Sequence, residues 1–257
     1  MPAGPAARSR ISSRFLRIVP RADGGYAFPT MAKTIIVGGY GPGISSAVAE
    51  KFGGQGFALA LVARSAERLA EGVRSLEAKG IKAAAFPTDL GAPAAVKALI
   101  AAVREKLGPI SALHWNAYSG AAGDLLSADV TALHSAFDIA VSGLLTAVQE
   151  SLADLKQAQG AVLVTNGGLL FNEPAVDEMA VKFNIMGLAI ANAAKHKLVG
   201  LLAQKLKADG VYVGEVIVTG SVKGTPFDHG NATIDPAVVA QKFWDLFSAR
   251  KDIIAQV

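Results

Sequence analysis

The sequence predicts a single α/β domain built on a doubly wound parallel sheet. Short, almost continuously apolar runs alternate with stretches of helical period along residues 33–257. Strands that are apolar on both faces are typical of a parallel sheet covered by helices on each side, and right-handed crossovers leave few other topologies. No linker, repeat or change of composition divides this part of the chain, so we expect one domain over residues 31–257.

The individual elements follow from the apolar pattern. Strands are predicted at 34–37, 57–63, 83–86, 110–115, 161–165 and 211–218, with a short last strand at 253–254. Helices are predicted at 43–52, 66–79, 93–107 and 236–249, and Pro93 suits the first turn of its helix because no partner awaits its missing N–H. Two longer helices, at 132–156 and 176–207, are predicted from apolar residues that recur every three or four positions.

Composition excludes several kinds of site. The chain has no cysteine, which rules out a disulfide framework, a thiolate metal site and a cysteine nucleophile. No spacing of His, Asp and Glu suggests a metal site, so none is expected. The longest uninterrupted apolar run, Phe57–Ala63, is far shorter than a membrane span, and no membrane partner is expected.

The formal net charge of +4 comes from one end of the chain. Residues 1–30 contain five arginines and one acid, Asp23, whereas residues 31–257 contain equal numbers of basic and acidic side chains. The body therefore has no basic excess with which to bind nucleic acid. We expect residues 1–30 to be disordered. They fit either an upstream extension of a cytoplasmic protein that starts at Met31 or a transit peptide for the mitochondrial or plastid matrix.

A glycine-rich turn joins the first predicted strand to the first helix. Glycines at such a turn let the backbone approach a pyrophosphate closely, and the helix N-terminus offers N–H groups to it. A tight turn alone would also need glycine, but the position between strand and helix favours a dinucleotide-binding loop. The loop residues are Gly39, Tyr40, Gly41, Pro42, Gly43 and Ile44.

The end of the second strand indicates which nicotinamide cofactor binds. A ribose 2′-hydroxyl is usually bound by an acid about 20 residues past the glycines, and a 2′-phosphate by an arginine. Here the strand ends in Arg64 and Ser65, with no acid before Glu67. Because a guanidinium can bind phosphate through two hydrogen bonds, the sequence predicts NADP(H). The alternative is a solvated arginine at the start of a helix.

These features resemble the short-chain dehydrogenase/reductase family, whose Rossmann-type domain opens with a Gly-x-x-x-Gly-x-Gly loop. Gly39 and Gly43 match the first two glycines, and Ser45 stands at the third. The two long helices pair across a subunit interface in that family, so the resemblance implies a homodimer or homotetramer. It also implies cofactor contacts after the third and fourth strands, from Asp89, Leu90, Asn116 and Ala117.

The resemblance does not extend to most of the family's catalytic residues. The family uses a helix Asn, a Ser on the fifth strand, and a Tyr followed four residues later by a Lys. Only the lysine is matched, by Lys195, while Ala140, Gly167 and Ala191 stand at the other three positions. The resemblance implies that Lys195 binds the nicotinamide ribose; otherwise it is a surface charge on its helix.

Two residues at the carboxyl edge of the sheet are candidates to replace the missing groups. Tyr118 follows the fourth predicted strand and Asn166 follows the fifth, at the edge of the sheet where ligands bind in open α/β folds. We expect Tyr118 to donate a proton and Asn166 to polarise a carbonyl, as oxyanion-hole amides do. His196 lies about 100° around the helix from Lys195, so we expect it to face elsewhere. His114 is expected to be a core residue.

The sequence therefore predicts an NADP(H)-binding oxidoreductase of this family with a non-standard active site. Its substrate is expected to be a small carbonyl, alcohol or imine-like molecule. One alternative is a catalytically silent NADP(H)-binding sensor or partner subunit, and another is a lyase or isomerase on the same fold.

Overall fold

The structure, a computed structural model, describes residues 33–257 and a small separate N-terminal element. That element is an antiparallel pair of two-residue strands, Val19–Pro20 and Tyr26–Ala27. Apart from this pair, the expectation that residues 1–30 are disordered lies outside the described residues and stays a prediction.

A parallel sheet of seven strands organises residues 33–257. Its strands are β1 (Lys33–Gly38), β2 (Phe57–Ala63), β3 (Ala83–Pro87), β4 (Ile110–Trp115), β5 (Ala161–Gly167), β6 (Tyr212–Val218) and β7 (Ile254–Gln256). They lie in the order β3-β2-β1-β4-β5-β6-β7, so the direction of winding reverses between β1 and β4. Ligands of such folds bind at the carboxyl edge beside that reversal. The predicted doubly wound α/β fold is confirmed.

Helices cover both faces of the sheet. On one face lie α1 (Ile44–Gly53), α2 (Ala66–Glu77) and α8 (Pro236–Ala249), and on the other lie α3 (Pro93–Leu107), α5 (Leu144–Gln157) and α7 (Met186–Leu206). Successive strand residues serve opposite faces: Ile35 packs with the first group of helices and Ile36 with the second. This two-sided burial explains why the strands are apolar at nearly every position.

Both long predicted helices are interrupted. The first consists of α4 (Val130–Phe137), a π-helical segment (Asp138–Gly143) and α5. In the π-helical segment the carbonyl of Ile139 accepts a hydrogen bond from Trp115 Nε1 at 3.1 Å, so a side chain of β4 uses a helical carbonyl. The second consists of α6 (Pro174–Lys182) and α7, separated at Asn184, whose φ of 56° ends the helix.

The run Val130–Gln157 is long and apolar enough, by length and composition, to cross a membrane, and it is the one such run among the described residues. Its inner side packs against the sheet, where Leu144, Ala147 and Val148 are buried. Only 28% of its most apolar window is buried, and most of its other large apolar side chains, such as Phe137 and Leu145, are half-buried.

We expect Gly143→Ala to destabilise the fold. The added Cβ would lie 2.0 Å from the carbonyl oxygen of Leu90, and overpacking of this kind costs roughly 1–3 kcal/mol. Gly200→Ala is the matched control, because Gly200 is exposed within α7 and has no atom within 4 Å of the added Cβ. Helix propensity predicts a gain of about 0.5–1 kcal/mol there. Urea unfolding measures both changes, and an unchanged stability for Gly143→Ala contradicts the described packing.

Candidate functional site

The glycine-rich loop lies between β1 and α1, and its backbone is held tightly from two sides. Gly39 and Gly43 have φ values of 78° and 86°, which favour glycine. A Cβ on Gly39 would lie 2.6 Å from the backbone nitrogen of Ala117, and one on Gly43 would lie 2.6 Å from Thr225 Cγ2. The segments that follow β4 and β6 therefore leave no room for a side chain at Gly39 and at Gly43, respectively.

Ser45 closes the loop by a means that the sequence did not indicate. Its buried hydroxyl accepts a hydrogen bond from the N–H of Gly41 at 3.0 Å and lies 3.0 Å from the carbonyl oxygen of Gly39, to which it donates. A Cβ on Gly41 would have no atom within 4 Å, so the crown of the loop is open. No side chain caps the N-terminus of α1, which leaves its first N–H groups available to an anion.

The other predicted loop residues differ in what they expose. The ring of Tyr40 points away from the glycine-rich loop and packs on Gly72 in α2. Tyr40 therefore contributes only its backbone atoms to the surface of the loop. Burial, with a smaller contribution from the charge of Glu50, raises the pKa of Tyr40. Pro42 is exposed, while Ile44 is buried as the first residue of α1.

Arg64 stands exposed at the end of β2, beside the loop's strand. No carboxylate of the described residues pairs with its guanidinium. Ser65 caps α2, accepting a hydrogen bond from the N–H of Arg68 at 3.3 Å. Among the described residues, the Arg64 guanidinium therefore has no carboxylate partner and is available to an anion.

The predicted contacts after β3 and β4 also lie at this edge. Asp89 is exposed, and its Oδ1 accepts a hydrogen bond from the N–H of Gly91 at 3.0 Å, whereas Leu90 is buried. The N–H of Asn116 donates to the carbonyl of Gly38 at 2.8 Å, which extends the β1–β4 pairing towards the glycine loop.

A group of polar side chains, all of them buried except the half-exposed His196, lies between β5, β6 and α7; we call it the buried polar cluster. Glu215, in the middle of β6, is completely buried. Its Oε1 accepts a hydrogen bond from Asn166 Nδ2 at 2.8 Å, and its Oε2 lies 2.5 Å from His196 Nδ1. The cluster consists of Asn166, Asn192, Lys195, His196 and Glu215.

Lys195 is the cation of this cluster, and only 3% of its surface is exposed. Burial lowers the pKa of Lys195 to about 8, and the charge of Glu215 acts against that lowering. Its Nζ makes no hydrogen bond to the described residues, so the ammonium is available to a ligand. The alternative prediction of a surface lysine is wrong.

Two sequence predictions about this cluster require correction. The Asn166 amide donates to both Glu215 Oε1 and the carbonyl of Asn192, the latter at 3.0 Å. Its Oδ1 accepts from the N–H of Gly167 at 3.1 Å, so neither amide proton is free for a substrate carbonyl. His196 does not face elsewhere, because Glu215 reaches across from β6 and joins it to the cluster.

Glu215 was not identified from the sequence, although a signal was present. It is the one carboxylic acid in the strand Tyr212–Val218, whose other residues are uncharged. A carboxylate in the interior of a parallel strand is buried on both faces and needs donors from neighbouring elements.

The remaining candidates lie apart from the cluster. Tyr118 is 40% exposed and packs on Phe227, with 5.6 Å between ring centroids, and burial raises the pKa of its hydroxyl. Among the described residues, no hydrogen bond joins it to the cluster. His114 is a core residue as expected: burial lowers its pKa to about 3, and its Nε2 lies 3.1 Å from Thr165 Oγ1.

Comparison with known proteins identifies a family. The family model for short chain dehydrogenases matches residues 33–232. The 2,3-dihydro-2,3-dihydroxybenzoate dehydrogenase of Bacillus subtilis (strain 168) is 37% identical over 81 residues, which span 32% of this chain and 31% of that protein.

Solved structures show the same fold at low identity. L-Sorbose reductase from Gluconobacter frateurii, complexed with NADPH and L-sorbose, has a TM-score of 0.77 at 19% identity, covering 88% of this chain and 95% of that one. A blue fluorescent protein from a metagenomic library, in complex with NADPH, has a TM-score of 0.74 at 23% identity, covering 88% and 96%. The glycine loop, the strand order and the match over residues 33–232 together show that the chain belongs to the short-chain dehydrogenase family.

Proposed function

We propose that the protein is an NADP(H)-dependent oxidoreductase that interconverts a small carbonyl compound and its alcohol, with Lys195 as the proton donor in place of the family's tyrosine. The observation that carries the proposal is the Lys195 ammonium, which is almost fully buried and makes no hydrogen bond to the described residues, in a chain whose glycine loop and exposed Arg64 follow β1 and β2. The L-sorbose reductase and the blue fluorescent protein of this fold both hold NADPH, which supports the choice of cofactor.

The glycine loop and Arg64 fit NADP(H). The open crown at Gly41 and the uncapped N-terminus of α1 suit a pyrophosphate, which needs a close backbone and N–H donors. Arg64 suits the 2′-phosphate, and the absence of an acid at the end of β2 disfavours a free 2′-hydroxyl. Lys195 Nζ would bind the nicotinamide ribose.

The chemistry assigns a proton transfer to Lys195. When bound, NADPH supplies a hydride to the carbonyl carbon, and the carbonyl oxygen must then gain one proton. No tyrosine lies between Tyr118 and Tyr212, so none stands four residues before Lys195, and Tyr118 makes no hydrogen bond to the buried polar cluster among the described residues. A lysine with a pKa of about 8 meets the requirement for a general acid near neutral pH. Its ammonium gives a proton to the oxygen, becomes a neutral amine and regains a proton from water.

One observation favours a second function. With Asn166 fully hydrogen-bonded and glycine at position 167, the site lacks a free side-chain donor of the usual kind beside Lys195. A catalytically silent NADP(H)-binding protein would have the same features. Steady-state assays with NADPH and a panel of aldehydes, ketones and imines separate the two, because only the oxidoreductase consumes NADPH in a substrate-dependent way.

Gly39→Ala is expected to weaken NADPH binding by about tenfold or more. A side chain at a φ of 78° that also meets the backbone of Ala117 strains the loop by about 1–3 kcal/mol, and each 1.4 kcal/mol is a factor of ten in affinity. Fluorescence titration with NADPH measures the effect. Gly56→Ala is the control, because it also has a positive φ but lies beyond α1 with open space around it. Equal losses in both variants contradict a cofactor role for this loop.

We also propose that the two long helical runs, Val130–Gln157 and 174–206, pair across the interface of a homodimer or homotetramer. Phe183 and Leu201 are 63% and 58% exposed, and Val130, the first residue of the Val130–Gln157 run, is 66% exposed. Exposed apolar patches on a protein surface mark sites where another protein surface binds, here a second copy of the same chain.

A further inference from the structure

Gly72 lies in the interior of a helix, where glycine is unfavourable. It is a buried residue in the middle of α2, and glycine destabilises a helix interior relative to alanine. The ring of Tyr40 explains its presence, because a Cβ added to Gly72 would lie 2.6 Å from the Tyr40 hydroxyl oxygen and 2.7 Å from Tyr40 Cζ. The helix therefore gives up stability to make room for one side chain of the glycine loop.

The backbone of Tyr40 is fixed to a different element. The N–H groups of Gly39 and Tyr40 both donate to the carbonyl of Val62, at 2.9 and 2.8 Å. Val62 is the penultimate residue of β2, two positions before Arg64. Tyr40 is only 9% exposed, with its backbone held by β2 and its ring by α2. It therefore connects the glycine loop to both elements.

Arg64 stands between the same two elements. It follows the last residue of β2, and the next residue, Ser65, caps α2 by accepting a hydrogen bond from the N–H of Arg68. A movement of α2 relative to the glycine loop would therefore carry the start of the helix, and Arg64 beside it, towards the loop or away from it.

We propose that Tyr40 is a positioning residue for the choice of cofactor: its ring, seated on Gly72, sets the distance between the glycine loop and Arg64 and so favours NADP(H) over NAD(H). This inference rests on the proposed function, in which the loop binds the pyrophosphate and Arg64 the 2′-phosphate. NADP(H) must reach both places at once, whereas NAD(H) has no 2′-phosphate and uses the loop without Arg64. A displaced ring therefore weakens NADP(H) binding more than NAD(H) binding.

Cofactor titrations of Gly72→Ala test this role. The added methyl group pushes against the Tyr40 ring, and NADP⁺ affinity is expected to fall by about tenfold, which corresponds to the loss of one charged hydrogen bond to phosphate. NAD⁺ affinity is expected to fall by less than about threefold, because NAD⁺ has no 2′-phosphate to misplace. Tyr40→Phe keeps the ring and is expected to bind both cofactors as the wild type does. Calorimetric titration measures both affinities.

Gly53→Ala is the matched control. It also adds a methyl group to a buried helical glycine that faces a side chain, in this case Ile81. Gly53 is the last residue of α1, however, at the opposite end of that helix from the glycine loop. The ratio of NADP⁺ to NAD⁺ affinity is expected to change in Gly72→Ala and to stay constant in Gly53→Ala. An unchanged ratio in Gly72→Ala, or an equal change in both variants, overturns the inference.

A double variant keeps the test decisive if Gly72→Ala alone does not fold. Tyr40→Ala removes the ring that the new methyl group would strike, so Tyr40→Ala/Gly72→Ala is expected to fold, as urea unfolding would show. Its ratio of NADP⁺ to NAD⁺ affinity is expected to equal that of Tyr40→Ala and to lie below that of the wild type. A double variant that stays unfolded, or a wild-type ratio in Tyr40→Ala, contradicts the role of Tyr40.

Turnover separates this inference from the proposed function. A Gly72→Ala ratio that shifts as expected, in a protein that reduces no carbonyl compound, would support the role of Tyr40 and overturn the redox function alone. Carbonyl reduction by a wild type whose cofactor ratio is insensitive to Gly72→Ala would support the redox function and overturn this inference alone.

Discussion

Lys195→Met is expected to slow carbonyl reduction by about 10²- to 10⁴-fold, the range for loss of a positioned general acid. Methionine keeps an apolar stem of similar length in a site where the lysine is almost fully buried, so the fold is expected to persist. NADPH binding should fall much less, because the glycine loop and Arg64 are unchanged. The readouts are NADPH oxidation by absorbance and NADPH affinity by fluorescence titration.

The pH dependence identifies the role of this lysine. The ammonium is the reactive form in reduction, so the wild-type rate should be high below the pKa of about 8 and fall as pH rises through it. Alcohol oxidation needs the neutral amine and should rise over the same interval. Lys197→Met, an exposed neighbour on α7, is expected to retain both profiles. If Lys195→Met reduces substrate as fast as the wild type, Lys195 is not the proton donor.

Arg64→Asp is expected to weaken NADP⁺ binding by about 100-fold, because hydrogen bonds from a charged group to phosphate contribute roughly 1.5–3 kcal/mol and the new carboxylate repels the phosphate. NAD⁺ binding is expected to improve, since an acid at the end of the second strand can accept from a ribose 2′-hydroxyl. Arg64 is exposed and unpaired among the described residues, so folding should be unaffected. Calorimetric titration with each cofactor gives the two affinities.

The control for this exchange is Arg74→Asp, an exposed arginine near the other end of α2. It makes the same change in net charge and is expected to alter the NADP⁺ affinity by less than about threefold, because exposed charges at a distance are screened. Unchanged NADP⁺ affinity in Arg64→Asp would contradict the assignment of Arg64 to the 2′-phosphate.

The sheet and most helices were predictable because their signals are local. Two-sided burial makes strands such as Phe57–Ala63 apolar throughout, and the predicted bounds agree closely with the structure. The interruptions of the two long helices were not predictable in the same way. One depends on Trp115, which reaches Ile139 from another element, and the other on the backbone conformation that Asn184 adopts in its surroundings.

The same distinction applies to the site. The glycine loop and Arg64 each belong to a short continuous segment that directly follows a strand. Their spacing along the sequence was therefore enough to predict them. The buried polar cluster is assembled from distant positions: Asn166 and Glu215 are 49 residues apart, and His196 and Glu215 are 19 apart. The angle of His196 around its own helix does not reveal its contact with Glu215, because that carboxylate belongs to β6.

Transfer of deuterium from NADPH to product tests the central claim most directly. The protein is incubated with NADPH deuterated at the transferred position of nicotinamide C4 and a panel of small aldehydes, ketones and imines, and the products are analysed by mass spectrometry. We predict an alcohol or amine that carries one deuterium at the former carbonyl or imine carbon, formed by the wild type and at least about 100-fold more slowly by Lys195→Met. Tight NADPH binding without a deuterated product from any member of the panel would contradict the proposal of an oxidoreductase and favour a silent NADPH-binding protein.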